Sequence, residues 1–469
     1  MRYKEHFEDL ALKRISDRKK HSYYWNSITR YCNYFSHEEN AVLEIGCGTG
    51  ELIHDIKGKR KVGIDFSSKM IEQASSRFQD VEFHVMAAED IHLNEKFDLI
   101  IISNLIGFVD DVQSVFQQLH KVCHPRTKII ITYYNFLWEP LVKFAETIGI
   151  KTKTPDQNWL LQQDIHNLLS LSGFETYRTV RTMMFPFYIP LLSPFLNRFL
   201  VRMPLFRLFA LNSFTFAKPI PVLNEQIEKK YSVSIVIPAR NEAGNIENAI
   251  KRLPKFGSRQ EIIFIEGNST DNTWEVIQDI QKKYATTHHI KITRQEGKGK
   301  NDAVKKGFSI ATGDIFMILD ADLTMPPEEL PKFYNAIATG QGDFIHGSRL
   351  VYEMESGAMR LLNLLGNKFF SFVFSWMLEQ PVKDTLCGTK VIYKTDYQKL
   401  VSNRKFFGDF DPFGDFDLIF GAYKLNLRII EIPIRYRERT YGSTNISRFR
   451  NGMVLLKMCF FAARKIKFI

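Results

Sequence analysis

Twice along this chain a short apolar run ends in a turn of glycines or aspartates, and a helical pattern follows. The first is AVLEIGCGTG, Ala41 to Gly50, and the second is DIFMILDADLTMPP, Asp314 to Pro327. An apolar run of this length is a strand buried on both faces, and strands alternating with helices build a mostly parallel sheet. Such sheets bind ligands at the carboxyl ends of their strands. The chain has 469 residues, enough for two or three domains. The expected fold class is α/β with two doubly wound domains.

In the first half, residues before about 40 read as helical, with an aromatic cluster at Tyr23, Tyr24 and Trp25. Gly46, Gly48 and Gly50 let the backbone approach a ligand, with a helix behind them. The next strand, KVGID, ends at Asp65, where an acid meets ribose hydroxyls in doubly wound folds. Further strands are expected at Val81 to Val85, Phe97 to Ile102 and Lys128 to Tyr134. Phe174 to Val180 and Phe214 to Ala217 fit a closing antiparallel hairpin. His84, His92 and His120 read as surface or core histidines.

The pattern is G-x-G-x-G, with Glu44 two residues before it. With GID-FSSKMIEQA and the AAEDI segment, Ala87 to Ile91, it resembles a class I S-adenosylmethionine-dependent methyltransferase over roughly residues 20 to 217. The resemblance implies a Rossmann-like fold with S-adenosylmethionine as cofactor. Gly46, Gly48 and Gly50, beside Glu44, would take the methionine moiety and Asp65 the ribose. Glu89 or Asp90 would lie near adenine, and Asn104 would line the site. A dinucleotide-binding fold and a non-methylating binding module are the alternatives, because no base or acceptor motif stands out.

Four strand ends in the second half carry ligand-type residues. SVSIVIPARNEAGNI offers Pro238, Ala239 and Glu242, and EIIFIEGNSTDNT offers Glu266. Lys298 and Lys300 flank a glycine before a helix, a favourable place for phosphate. Asp320 and Asp322, one residue apart at a turn, can both reach one hard cation that holds a diphosphate. This order resembles an inverting family-2 glycosyltransferase of GT-A fold, of the dolichyl- or polyprenyl-phosphate mannosyl/glucosyl-transferase group, over roughly residues 231 to 450.

That resemblance implies a nucleotide-sugar donor and Mg2+ or Mn2+ on Asp320 and Asp322. Pro238, Ala239, Glu242, Glu266 and Lys298 would face the nucleotide. Arg349, in FIHGSRL, and Arg360 would meet an acceptor lipid phosphate, and Arg439 the donor phosphates. Asp322, Asp384 and Arg349 are the expected catalytic residues. An ionised phosphate acceptor needs no strong base, whereas a hydroxyl acceptor would give its proton to Asp384. The sequence departs from the family at Glu266–Gly267–Asn268, at Thr324 and at Asn445, and offers Asp411, Asp415 and Asp417 where an acidic helix is usual. A nucleotidyltransferase, which also uses paired aspartates, is the rival reading.

The formal charge of +11 and pI near 9.2 suit phosphate and an anionic membrane surface, and the 39 Phe, many beside Arg or Lys, argue against nucleic acid. Five scattered Cys offer no zinc site and fit a reducing compartment. No secretory signal or membrane-spanning run is expected. Met183 to Phe209, broken by prolines and dotted with Arg198, Arg202 and Arg207, suits the membrane interface or a packed inter-domain surface. The stretch between Arg360 and Gln380 reads as amphipathic interfacial helices beside the acceptor site or as an ordinary core helix pair, and the tail Met453 to Ile469 alternates basic and apolar residues in the manner of an interfacial segment. The expected organisation is 1–217, a linker at 218–230, 231–450 and a tail at 451–469. The protein is expected as a monotopic enzyme on the cytoplasmic, inner face of a membrane, in bacterial glycan assembly.

Overall fold

A computed structural model describes residues 4–155, 157–220, 230–349, 361–385, 387–402, 415–437, 439, 441 and 448–467. They fall into two compact units, Met1–Ile220 and Pro221–Lys467. Arg360, Asp411 and Asn445 lie outside the described residues, and so does the greater part of the expected linker.

The first unit is built on β1 (Ala41–Ile45), β2 (Arg60–Asp65), β3 (Glu82–Val85), β4 (Phe97–Ser103), β5 (Cys123–Tyr134), β6 (Phe174–Thr182) and β7 (Asn212–Pro219). They form one sheet in the order β3-β2-β1-β4-β5-β7-β6. The first five strands are parallel, and β7 runs antiparallel to β5 and β6. Val42, Leu43, Ile45 and Ile100 to Ile102 are fully buried, which is what helices on both faces require. The strand order reverses between β1 and β4, and sheets of this kind bind ligands at such a switch point, outside the carboxyl ends of the strands. Lys218 and Pro219, expected in the linker, are the end of β7. Helices Lys4–Lys20 and Ser22–Phe35 precede the sheet. Between β6 and β7 the chain makes only short helical turns from Leu192 to Phe209.

The second unit carries β8 (Val233–Ala239), β9 (Gln260–Glu266), β10 (His289–Arg294), β11 (Ile315–Ile318), β12 (Phe344–Ser348), β13 (Lys390–Tyr393) and β14 (Ile429–Pro433). The order is β10-β9-β8-β11-β13-β12-β14. Strands β8 to β11 are parallel, β13 is antiparallel to both neighbours, and β12 is parallel to β14. The sheet is thus mixed, and its parallel half brings the ends of β8, β9 and β11 side by side.

The apolar stretch after residue 360 is a single helix, Leu361–Leu378, rather than several. It buries Phe374, Met377 and Leu378 and exposes Phe369 and Phe372. The expected tail is the end of helix Arg448–Ile466, which belongs to this unit. Lys467 behind it pairs with Glu379 and lies over Trp376. Among the described residues no helix is long and apolar enough to cross a membrane.

Phe316 is 1% exposed, stacks on Phe308 and meets Tyr397 edge-on. Phe316→Ala is expected to cost about 3–5 kcal/mol, by lost burial and the cavity left behind. Urea unfolding monitored by circular dichroism is the check.

Candidate active sites

In the first unit the turn after β1 hangs on its neighbour: Gly46 and Cys47 donate backbone N–H bonds to the Ile64 carbonyl, at 2.8 and 3.0 Å. Gly50 has φ +83°, and a Cβ there would come within 2.7 Å of the Phe83 ring. Only glycine fits both demands. Asp65, at the end of β2, accepts from the Gly48 and Ser67 N–H groups, both at 2.9 Å. Burial pushes its pKa up against those bonds.

Glu44 is 3% exposed, and its Oε2 has no hydrogen-bond partner. Burial outweighs the pull of Arg18 and lifts its pKa to about 8. Arg18 comes from the N-terminal helix, reaches Glu51 at 3.9 Å and lies over Trp25 at 4.5 Å. An orphaned carboxyl oxygen beside an open glycine turn fits a polar, positively charged ligand. Glu89 accepts from the Asp110 N–H at 3.3 Å, whereas Asp90 is exposed and paired with His92 at 2.8 Å. Of the two acids next to each other, Glu89 is therefore the one turned to the fold. Asn104 sits at φ +52° and donates to the Tyr24 hydroxyl at 2.9 Å. Tyr24 and Arg18 are site neighbours outside any motif, because they sit on helices whose pattern does not show which face meets the glycine turn.

In the second unit three strand ends and a late loop converge. Asp320 pairs with Lys300 at 2.5 Å. Asp322 pairs with Arg439 Nη2 at 2.6 Å, and Arg439 Nη1 reaches Glu242 at 3.3 Å. Burial works against ionised Asp320, but the Lys300 charge and hydrogen bond, helped by Lys390 and Arg349, hold its pKa below the ordinary range. Glu242 is pushed up by burial, opposed by Asn245 and Arg439. Lys300, the first residue of helix Lys300–Ile310, makes the contact, while Lys298 is exposed on the loop before it.

Local backbone fixes this geometry. Leu323 is left-handed at φ +53°, and its N–H returns to the Asp320 carbonyl at 3.2 Å. Thr324 gives both its N–H and its hydroxyl to Asp322 Oδ1, at 3.1 and 2.9 Å. It orients the aspartate. Gly388 runs so close that a Cβ would overlap the Asp320 carboxylate and the Lys300 ammonium. Glu266 accepts from the Ser269 N–H at 2.5 Å and faces Arg294 at 3.5 Å. Ala239 is buried and its carbonyl accepts from the Gly267 N–H at 2.8 Å, while Pro238 is half-buried beside it.

Arg349 and Asp384 form a two-pronged pair, Nε to Oδ2 at 2.7 Å and Nη2 to Oδ1 at 2.8 Å. The Arg349 N–H adds a third bond to Asp384 at 3.0 Å. Asp384 is fully buried, and Glu431 accepts from its N–H at 3.0 Å. With both oxygens engaged, Asp384 is placed to aim Arg349 rather than to take a proton. The Arg349 guanidinium faces Tyr436 at 5.2 Å.

Among the described residues no cluster of three His, Cys, Asp or Glu side chains could hold a metal. Two carboxylates completed by phosphate oxygens and water still suffice for a hard cation. Asp320 and Asp322 fit that donor set and would hold it.

Residues 36–173 match the family model described as methyltransferase domain, and residues 234–403 the one described as glycosyl transferase family 2. The dolichol-phosphate mannosyltransferase of Pyrococcus furiosus is 40% identical over 122 residues, covering 25% of this chain and 33% of that protein. "Probable glycosyltransferase YdaM" of Bacillus subtilis is 35% identical over 127 residues, covering 26% and 29%. The chain thus spans about a third of the length of these relatives. Among solved structures, an S-adenosylmethionine-dependent methyltransferase of Thermotoga maritima aligns with TM-score 0.36 and 20% identity, covering 45% of this chain and 97% of that one. Glucosyl-3-phosphoglycerate synthase of Mycobacterium tuberculosis aligns with TM-score 0.37 and 17% identity, covering 50% and 80%.

Two outcomes follow from these pairs. Folded protein keeps a proton on Glu44 that the unfolded chain releases near its ordinary pKa of 4.5, so stability falls as pH rises from there to about 8 and then levels off. Glu44→Gln is expected to remove that slope, read by thermal unfolding across the pH range. Asp384→Asn leaves the Arg349 charge largely buried without its counter-ion, and about 3–5 kcal/mol of stability is expected to go with it in urea unfolding.

Proposed function

We propose that this chain, which joins a methyltransferase domain to a family-2 glycosyltransferase domain, transfers a sugar from a nucleotide-diphosphate donor to a polyprenyl or dolichyl phosphate. The observation that carries the reading is the bridge from Arg439 to Asp322 and Glu242, beside the Lys300–Asp320 pair. It gathers two acids for a cation and two bases for a diphosphate within one set of strand ends. Mg2+ or Mn2+, when bound, supplies positive charge to the leaving diphosphate.

This chain's residues do the rest. Glu242 and Glu266, at the ends of β8 and β9, face the nucleoside. Lys300 and Arg439 are already at the aspartates, so they can follow the diphosphate charge without a large movement. Asp384 and Glu431 hold Arg349 in one orientation, and a guanidinium fork held still suits an ionised phosphate nucleophile. Such an acceptor brings no proton to remove, which agrees with the closed Arg349–Asp384 pair. Transfer proceeds with inversion when the nucleophile enters opposite the leaving diphosphate.

The first domain uses S-adenosylmethionine as methyl donor. This is supported by the glycine turn, by Asp65 at the end of β2 and by the partnerless Oε2 of Glu44. A domain that binds S-adenosylmethionine without methyl transfer is the second reading, favoured because no base or acceptor motif stands out in the sequence. Peripheral attachment to the cytoplasmic, inner face of a bacterial membrane is supported by the charge of +11 and by exposed Phe369, Phe372 and Phe460 in the second unit.

The test is incubation of the purified full chain with labelled UDP- and GDP-sugars, Mg2+ or Mn2+, and polyprenyl phosphate. Label is expected in the organic phase, and Asp322→Ala is expected to lower it by about a hundredfold or more. Transfer to water-soluble acceptors alone would sink the lipid-phosphate part.

A further inference from the structure

The first unit has a half-open recess at the ends of β4 and β5. Asn104, Tyr133, Tyr134, Gln157, Asn158 and Trp159 supply its polar and aromatic lining, and among the described residues no charged side chain or histidine lines it. Amides that both donate and accept, beside flat aromatic rings, suit a hydroxyl-rich, uncharged group. A phosphate or carboxylate would find no cation there among the described residues.

The pocket shares its walls with an exposed apolar surface. Tyr134 lines the pocket, and the next residue, Asn135, donates to the Leu208 and Ala210 carbonyls at 2.9 Å. Trp138 then donates to the Phe209 carbonyl at 3.0 Å. On the other side stand two consecutive tyrosines. Tyr24 takes the Asn104 bond inside, while Tyr23 accepts from Asn197 at 3.3 Å and meets the Tyr188 ring at 5.5 Å.

From this rim outward run two segments, 136–150 and 187–209. Together they hold most of the large apolar side chains exposed in the described residues, with Phe144 at 62%, Leu191 at 88%, Phe195 at 55% and Leu205 at 67%. Exposed Arg198 and Arg207 stand among them. Aromatic and aliphatic side chains interleaved with Arg match the boundary of an anionic bilayer. The segment 136–150 gives little sign of this in sequence, because its helix Glu139–Thr147 reads as an ordinary amphipathic one.

We infer that the methyl acceptor is borne by a lipid: its hydroxyl-rich, uncharged head enters the pocket while its tail stays in a bilayer against segments 136–150 and 187–209. A hydroxyl oxygen of the head takes the methyl as its bond to the sulfonium sulfur breaks, S-adenosylhomocysteine leaves, and the hydroxyl proton passes to water at the open side of the pocket. This rests on the methyltransferase reading and goes beyond it in naming the acceptor class, a glycolipid.

The test uses the full chain, methyl-labelled S-adenosylmethionine, and phosphatidylcholine–phosphatidylglycerol vesicles carrying a hexosyl-linked lipid, with the same hexose lacking its tail as the parallel substrate. Label is expected in the lipid at a rate at least about tenfold above the tail-less sugar. Leu191→Glu with Phe195→Glu is expected to remove that advantage while S-adenosylmethionine affinity by calorimetry stays as it was. Equal rates for both substrates, label in neither while S-adenosylmethionine binds, or an unchanged rate in the double variant overturns the inference. So does a dimer of the wild type that the double variant turns to monomer without vesicles, since the face would then be a self-interface. Failure to bind S-adenosylmethionine at all removes the methyltransferase reading beneath it.

Discussion

The site in the second unit depends on one guanidinium. Arg439 reaches Asp322 at 2.6 Å and Glu242 at 3.3 Å, and so links the chain after β14 to the ends of β11 and β8. Two carboxylates this close repel each other when both are partly shielded from water. The shared cation removes that repulsion and fixes where both point. Lys300 does the same for Asp320. Each of these acids therefore stands beside a base that can turn to an incoming anion.

The first unit handles its buried acids differently. Asp65 is met by two backbone N–H groups, and Glu44 keeps a proton near neutral pH because burial outweighs Arg18. Asp320 and Asp322 are thus answered by cations, and Asp65 and Glu44 by backbone donors or a proton. The difference agrees with what each crevice is suited to receive. The bases of the second unit suit an incoming anion, and the partnerless Glu44 oxygen of the first suits a ligand that donates a hydrogen bond to it.

Both sheets were legible in the sequence, because apolar strands ending in glycine or aspartate leave few other arrangements. The closing hairpin of the first unit was legible too, although β7 reaches Pro219 and β5 begins at Cys123. The reversed directions in the second sheet were not, since β13 and β12 are short and apolar whichever way they run. Site residues inside motifs, such as Asp320, Asp322 and Glu242, could be named from spacing. Their partners could not. Asp384 looked like a base until its two bonds to Arg349 gave it another task, and Thr324 looked like a lost ligand until its hydroxyl turned out to hold Asp322. Which of two neighbours faces the site, Lys298 or Lys300, Glu89 or Asp90, depends on side-chain direction, which spacing alone leaves open.

Leu323 carries a last consequence. A branched side chain in the left-handed region costs about 1–2 kcal/mol, and here it follows directly on the paired aspartates. Substitutions that relax such a residue, to Gly or Asn, are the kind that stability screens find first. At this position the relaxed backbone would also be free to swing Asp322 off its mark. Selection for heat resistance and selection for turnover would thus pull this single position in opposite directions.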